Sequence, residues 1–301
     1  RGDIGVISRL SHTQTFDTLS DKGKDVKLVG IDLPTPVFAL AVTPSTQADL
    51  DKMADSLSRI TEEDPTLEIE RNAATSETIL HGLGDIHVDL AIERIARKFD
   101  VNLDTALPSI PYREAVIGQT SVSYKHKKQS GGRGQYGHVV LEISPAKAGE
   151  GITFGSKVVG GNVPKDYIPS VEKGVRNAAI GGVVAGFPVV DVAVMLTDGS
   201  SHSVDSSGMA FEIAGSMGFR QAVRDAKPTL LEPVLKLKIL SPDDCAGDVM
   251  GDLSSRRARI GGMEPKGKGL TEITAEAPAS MMQRYAADLR ALTRARGDFT
   301  A

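Results

Sequence analysis

Hydrophobic positions along the chain change period several times, and each change marks an element. Residues 4–10 alternate apolar and polar, and Asp17-Thr18-Leu19-Ser20-Asp21 reads as loop, so residues 1–32 are β-like but too few to form a domain. From Pro36 the pattern sharpens. Residues 37–42 predict a strand. Thr46, with Asp49 three positions on, resembles a capping box, and Leu50, Met53, Leu57 and Ile60 recur at helical spacing until Asp64-Pro65 ends the run. Residues 67–70 and 78–83 read as two strands. Asp85 is expected to cap a second helix, in which Val88, Ala91, Ile92, Ile95 and Phe99 share one face. Residues 101–103 close the unit with a last strand. The order βαββαβ is ferredoxin-like and spans 33–107.

The proline-bounded stretch 108–111 reads as a linker. Beyond it, alternation over 120–128 and 137–143 predicts two strands of a long hairpin. A strand near 152–158, a helix over 165–179 and a strand over 189–196 follow. The polar stretch 197–205 reads as a second long loop, and Ser206 or Ser207 is expected to cap a helix ending near Asp225. Residues 228–233 read as a second linker. A strand over 234–240, a helix capped by Asp243 or Asp244 and running through Leu253, and a hairpin of 257–263 with 270–275 come next. A last helix carries Met282, Tyr285, Ala286, Leu289 and Thr293 on one stripe, and a strand begins at Phe299. This is a second ferredoxin-like pattern, βαββα plus the start of a strand. The expected fold class is α+β and multidomain: a β segment over 1–32, ferredoxin-like domains over 33–107 and 230–301, and a distinct α+β domain over 108–229.

The hairpin tip carries the main chemical signal. Residues 124–137 hold Lys125, Lys127, Lys128 and Arg133, and no Asp or Glu occurs between Glu114 and Glu142. Gly131, Gly132, Gly134 and Gly137 would let the backbone turn sharply and approach a partner closely. A basic, glycine-rich tip suits a phosphate backbone, and it equally suits a solvated hairpin loop. The whole chain opposes this local charge: its 301 residues carry a formal net charge of −4, so contact with nucleic acid must come from patches. Aromatics make up 4% with no Trp, so base stacking is not expected to dominate. Cys245 is the only cysteine, which excludes an internal disulfide and fits a reducing compartment such as the cytoplasm. The most apolar stretch, residues 178–196, is broken by Gly181, Gly182, Gly186, Pro188 and Asp191, so no membrane span is expected.

Several chemistries fall away on spacing. No Gly-Lys-Ser/Thr phosphate loop occurs, and no βαβ unit opens at residues 131–137 to make them a dinucleotide loop. His81 and His87 lack further metal ligands at useful spacing, so no metal is expected. His202, Asp205 and Ser206 lie too close in sequence for a hydrolytic triad and have no nucleophile elbow. His202 reads either as a recognition residue at a loop tip or as a solvated histidine. Arg256, Arg257 and Arg259, beside Ser254 and Ser255, read either as a second RNA-facing cluster or as a solvated helix end.

The stretch 126–137, His-Lys-Lys-Gln-Ser-Gly-Gly-Arg-Gly-Gln-Tyr-Gly, and His202 followed by Val204-Asp205-Ser206-Ser207 resemble bacterial elongation factor G, a translational GTPase. So do Leu83-Gly84-Asp85-Ile86-His87-Val88-Asp89 and residues 247–253 with Arg256-Arg257. The resemblance covers nearly the whole chain. It implies a piece of a longer protein, a reading that the absence of an initial Met and the ending at Phe299-Thr300-Ala301 also suggest. It implies that residues 1–32 belong to a preceding barrel domain, that two ferredoxin-like domains flank an elongated arm, and that the arm's tip enters the decoding region of the small ribosomal subunit. Lys125, Lys127, Lys128, Gln129, Ser130, Gly131, Gly132, Arg133, Gly134 and Gln135 would form the first tip loop, and His202 and Asp205 the second. The last domain would approach large-subunit RNA through Arg256, Arg257 and Arg259. The implied partners are the ribosome, tRNA and mRNA, with no membrane and a monomeric state. No cofactor is implied for this part, GTP and Mg²⁺ belonging to the GTPase domain of the parent. Ser201 and Ser203 depart from the family's usual tip, where an aromatic precedes and an Asp follows the histidine, so a paralogue acting in recycling or ribosomal protection stays open. So does a non-ribosomal RNA-binding module.

Overall fold

The computed structural model describes residues 2–8, 10, 12–24, 26–129 and 134–301. The chain forms two compact units, one of residues 1–110 with 234–301 and the other of 111–233. The described residues of 2–33 form no strand, although Ile4, Val6, Leu28 and Val29 are apolar and exposed. Their alternation finds no partner strand here, and a strand needs a ladder to exist.

The first ferredoxin-like part runs β1 (Phe38–Pro44), α1 (Gln47–Glu63), β2 (Glu68–Arg71), β3 (Thr78–Gly82), α2 (Asp85–Phe99) and β4 (Leu103–Ala106). Its antiparallel sheet has the order β2-β3-β1-β4. Thr46 caps α1 by accepting from Asp49 N, and Asp49 Oδ1 accepts in turn from Asn102 N at 3.1 Å. The cap pair therefore also pins the entry to β4. Asp85 is not the cap of α2. Gly84 holds that position with no side chain to offer, and Asp85 is the first helical residue, where its charge complements the helix dipole. The reaching-back role falls to His87, whose Nδ1 accepts from Leu83 N at 3.1 Å and whose Nε2 donates to Asp64 Oδ2 at 3.0 Å. His81 is separately paired with Glu70 at 3.1 Å. The two histidines each have a carboxylate of their own, and no group of three metal-ligating side chains occurs among the described residues. Leu57, Ile60, Val88, Ile95 and Leu80 fill the core, with Met53, Ile92 and Phe99 at its margin.

The second unit contains β5 (Arg113–Val116), β6 (Thr120–Lys128), β7 (Gln135–Pro145), β8 (Ile152–Ser156), α3 (Ile168–Ile180), β9 (Val192–Ser200), α4 (Gly208–Asp225) and β10 (Pro228–Leu231). Its main sheet has the order β6-β7-β9-β8, with β8 and β9 parallel and α3 between them in sequence. Two expectations change here. Most of the stretch read as the second linker is β10, which pairs with the unanticipated β5. Pro228 is tolerated because it opens a strand in a sheet of only two. The stretch read as a polar loop from 197 is strand through Ser200, because Asp198, Gly199 and Ser200 pair with Val140, Val139 and His138. Cross-strand pairing overrides their weak intrinsic preference.

Glycine sets the helix crossing. A Cβ at Gly215 would lie 2.6 Å from Val171 O, and one at Gly174 would run into Glu212 O, so α3 and α4 approach backbone to backbone. Glu114 organises the turn after α3. It is 1% exposed, and its carboxylate accepts from the backbone N–H groups of Val183, Val184, Ala185 and Phe187 at 2.7–3.2 Å. Burial by itself would raise its pKa. The N–H groups of Ala185, Val184, Val183 and Phe187 together outweigh that and hold it below the ordinary glutamate value.

The last part runs β11 (Val234–Pro242), α5 (Ala246–Ser255), β12 (Arg259–Gly267), β13 (Leu270–Pro278), α6 (Tyr285–Thr293) and β14 (Asp298–Thr300). The order β12-β13-β11-β14 repeats the first ferredoxin-like sheet. Neither Asp243 nor Asp244 caps α5. Both lie in a single 3-10 turn before it, where Asp243 accepts from Thr271 Oγ1 at 2.6 Å and Asp244 holds Arg296 at 2.8 Å. The two ferredoxin-like parts share one hydrophobic cluster. Arg290 Nη2 donates to Leu83 O at the start of α2, and Gln283 Nε2 donates to Pro108 O.

Candidate nucleic-acid interface

The strand period decides which tip residues face solvent. Along β6, Ser121, Ser123, Lys125 and Lys127 are exposed, while Val122 is buried and Tyr124 and His126 are half-buried. Lys125 is paired with His138 and Lys127 with Tyr136 on β7, so these four side chains share the face of the sheet opposite Val122. Lys128 pairs with Gln135 as the last rung, and Gln129 is exposed just beyond it. Gln135 is held by His126, Nε2 to Oε1 at 2.9 Å. Ser130, Gly131, Gly132 and Arg133 lie outside the described residues.

The second loop is tied onto the first. His202 Nδ1 accepts from Val204 N at 3.3 Å and Asp205 N at 3.2 Å, which places the neutral ring's hydrogen on Nε2. Ser206 Oγ accepts from His202 N at 2.8 Å and donates to Tyr136 O at 3.0 Å. Asp205 accepts twice from the first loop, at its carbonyl from Tyr136 N (2.9 Å) and at Oδ1 from Gly134 N (3.0 Å). A Cβ at Gly134 would come 3.0 Å from the Asp205 carboxyl carbon, and one at Gly137 would come 2.7 Å from Ala210 O. Gly137 is therefore required by close approach of backbone, while a side chain at Gly134 would crowd the Asp205 carboxylate. Ser207, not Ser206, caps α4 by accepting from Ala210 N at 3.2 Å. Adjacent serines thus divide two tasks, one stitching the loops and one starting the helix.

Below the tip runs a row that sequence reasoning missed. Tyr136 OH meets Ser200 Oγ at 2.8 Å, Ser200 Oγ meets His138 Nδ1 at 2.9 Å, and His138 Nε2 meets Ser123 Oγ at 2.9 Å. Burial, and then the charge of Lys125, push the His138 pKa below its ordinary value, partly opposed by Asp198. Both effects favour the neutral imidazole. The missed signal was register: once the hairpin is zipped, Tyr136 and His138 must oppose Lys127 and Lys125. Among the described residues, the tip thus joins Lys125, Lys127 and Lys128, an exposed imidazole and glycine backbone on a braced support. Among the described residues of the tip no triad is set up: His202 Nδ1 faces the N–H groups of Val204 and Asp205, with Asp205 Oδ2 3.4 Å away, while Ser206 Oγ bonds to the backbone groups His202 N and Tyr136 O.

The three arginines expected as a second cluster have different surroundings. Arg256 is committed to the fold: it donates to Asp252 and Asp288 at 2.8 Å and to Met281 O at 2.8 Å, and lies 5.2 Å from the Tyr285 ring centroid. Arg257 is exposed, with φ of 62° just after α5. Arg259 is exposed at the start of β12.

Two ferredoxin-like sheets in one unit and a braced cationic loop pair on a mixed sheet in the other define a multidomain α+β protein. Comparison with known proteins places it further. Three family models match consecutive stretches: Elongation Factor G, domain III, over 33–106; Elongation factor G, domain IV, over 108–227; and Elongation factor G C-terminus over 229–301. An elongation factor G-like protein of Thermotoga maritima is 43% identical over 299 residues, which is 99% of this chain and 44% of that protein. A crystal structure of a Thermus thermophilus protein covers 94% of this chain and 42% of its own, with a TM-score of 0.75 and 38% identity. The chain belongs to the elongation factor G family and corresponds to its third, fourth and C-terminal domains. It spans 44% of the length of the curated relative. No described helix is long and apolar enough to cross a membrane.

Proposed function

We propose that this chain is the ribosome-engaging part of an elongation factor G-like protein, acting in translocation of tRNA and mRNA. The observation that carries the reading is the stitched tip, in which Asp205 and Ser206 bind one loop to the other and hold His202 beside the basic strand end. Lys125, Lys127, Lys128 and Arg133 attract phosphate. Gln129, Ser130, Gly131, Gly132, Gly134, Gln135 and His202 meet the small-subunit decoding region, where the His202 Nε2 hydrogen serves a phosphate or a 2′-hydroxyl. Asp205 contributes by bracing the loops. Hydrolysis of GTP with Mg²⁺ belongs to the parent protein, which works as a monomer in the cytoplasm. A recycling or protection paralogue is the second reading, favoured by Ser201 and Ser203 beside the tip histidine.

The test is co-sedimentation with 70S ribosomes across a salt series. The comparison is a variant carrying Lys127→Ala, Lys128→Ala, Arg133→Ala and His202→Ala. Saturable binding is expected, with a log–log salt slope that falls by roughly 2 to 3 units in the variant. Tight binding with an unchanged slope would remove the tip from the interface.

A further inference from the structure

A row of hydroxyls around one imidazole crosses the sheet face below the tip, and a bulge puts it there. Leu141 pairs with Leu196 but Val140 pairs with Asp198, so Thr197 is an extra residue in β9. The extra residue sets Ser200, rather than Gly199, opposite His138, on the face that carries Ser123, Lys125 and Lys127. His138 Nε2 meets Ser123 Oγ and its Nδ1 meets Ser200 Oγ, each at 2.9 Å. A hydroxyl either donates or accepts, so both contacts persist whether the ring carries one N–H or two. His87 and His202 are set differently. Their Nδ1 atoms face backbone N–H groups, of Leu83 in one case and of Val204 and Asp205 in the other, and a proton placed there displaces a donor. At His202 the Asp205 Oδ2 also lies 3.4 Å from that nitrogen. The charged and titratable groups facing His138 are Lys125 and Lys127 on β6, Tyr136 on its own strand and Asp198 on β9, whose Oδ1 accepts from Asn162 Nδ2 at 2.9 Å. Lys125 and Lys127 are exposed, and their side chains have no hydrogen-bond or ion-pair partner among the described residues.

We propose that His138 is a proton-gated cation of a phosphate-binding face that it shares with Lys125 and Lys127, and that an RNA backbone docking on this face draws a proton onto the ring. The proposal rests on the reading that the tip engages RNA, and adds to it one residue and a dependence on pH. Without a ligand, burial and then the charge of Lys125 disfavour the charged ring, and Asp198 offsets them only in part. A phosphate seated beside Lys125 reverses the balance. It answers the lysine, and it attracts an imidazolium two strands' width from the tip loops it serves. A phosphodiester keeps its single charge throughout the histidine range, so the change is the protein's own. Coupling between two binding events is reciprocal: if bound phosphate favours the proton, the proton favours bound phosphate. Binding therefore tightens as pH falls through the imidazole range and is flat above it. The serines make the device cheap, because taking up the proton costs the row none of its hydrogen bonds. A row that only stitched β9 to the hairpin would leave binding blind to pH.

The experiment uses the whole chain, a short rhodamine-labelled RNA duplex without terminal phosphates, and anisotropy across a potassium chloride series at about pH 8 and about pH 5.5, either side of the histidine range. The parent is expected to bind roughly tenfold more tightly at the lower pH, the equivalent of about one pKa unit of coupling. Its log–log salt slope is expected to grow by roughly one unit there, for one more phosphate neutralised. His138→Gln keeps a donor and an acceptor but cannot charge, and it is expected to lose both differences. His126→Gln and His202→Gln are expected to keep the ratio between the two pH values, whatever they do to affinity. A second measurement needs no variant to bind. Imidazole NMR of the parent, with the His138 signal identified by its absence in His138→Gln, is expected to show the titration midpoint moving up when RNA is added. Equal affinity of the parent at both pH values, a ratio that survives His138→Gln, or an unmoved midpoint overturns the proposal. A variant with Lys125→Ala, Lys127→Ala and Lys128→Ala is run in parallel. If it binds like the parent at both pH values, the tip reading fails and takes this proposal with it. If it loses affinity while the parent ignores pH, the tip reading stands and this proposal alone falls.

Discussion

Glu114 shows how much one buried carboxylate can organise. Its two oxygens collect four N–H donors of one loop that would otherwise be unsatisfied next to the core. Replacing it with Gln keeps the volume but turns an amide NH₂ towards N–H groups. The expected cost is about 2–4 kcal/mol of stability, by the penalty for orphaned buried donors. The pH sign follows from the lowered pKa. A group ionised more easily in the folded state contributes stability that is present above its unfolded pKa and lost as pH falls through the folded value. Thermal melts of the parent and Glu114→Gln should therefore converge as pH is lowered from 7 into the acid carboxylate range. Curves that keep a constant separation would show that the carboxylate's charge is not what holds the loop. At this scale the sequence was only partly legible. Lys125, Lys127 and His202 could be singled out as candidates by type and context. Glu114, Tyr136, His138 and Ser206 did not, because their partners lie far away in sequence or are backbone groups.

Among the elements, the helices test the same residue type in opposite settings. Gly174 and Gly215 sit where α3 and α4 cross, and an added Cβ meets backbone that cannot step aside. Gly251, inside α5, has nothing within 4 Å of such a Cβ. Gly174→Ala should destabilise by roughly 1–3 kcal/mol or more through overpacking, despite its better helix propensity. Gly251→Ala should stabilise by about 0.5–1 kcal/mol from propensity alone. Chemical denaturation of the two single variants decides the matter, and equal signs would contradict the close crossing of α3 and α4. Hydrophobic period located most helices and strands to within a few residues. It missed β5 and β10 because a two-stranded ladder of four residues each leaves no periodic trace, and its prolines read as linker.

For the whole molecule, the way the chain passes from one unit to the other allows a deletion to be predicted. The chain enters the unit of 111–233 through β5 and leaves it through β10, and these are antiparallel partners with Arg113 opposite Leu231. Such partners lie about 5 Å apart, and Ile110 and Val234 lie three residues beyond them, so a glycine-serine bridge long enough to span about 25 Å, the reach of those residues, should replace the inserted unit. Calorimetry is expected to show that the bridged protein keeps a cooperative transition, because its shared hydrophobic cluster is intact. Loss of any cooperative transition would mean that the cluster depends on the inserted unit.

The features legible in the chain alone were local: the periods that make helices and strands, the βαββαβ order twice over, the basic glycine-rich tip and the family motifs. These depend on neighbours within a turn or a pleat, and such neighbours are written in order along the chain. Folding in three dimensions settled which residues meet. It joined Asp205 to Gly134 and Ser206 to Tyr136, and it turned Arg256 inward onto Asp252, Asp288 and Tyr285. Those outcomes depend on strand register and helix crossing, where a shift of one residue moves a side chain to the other face.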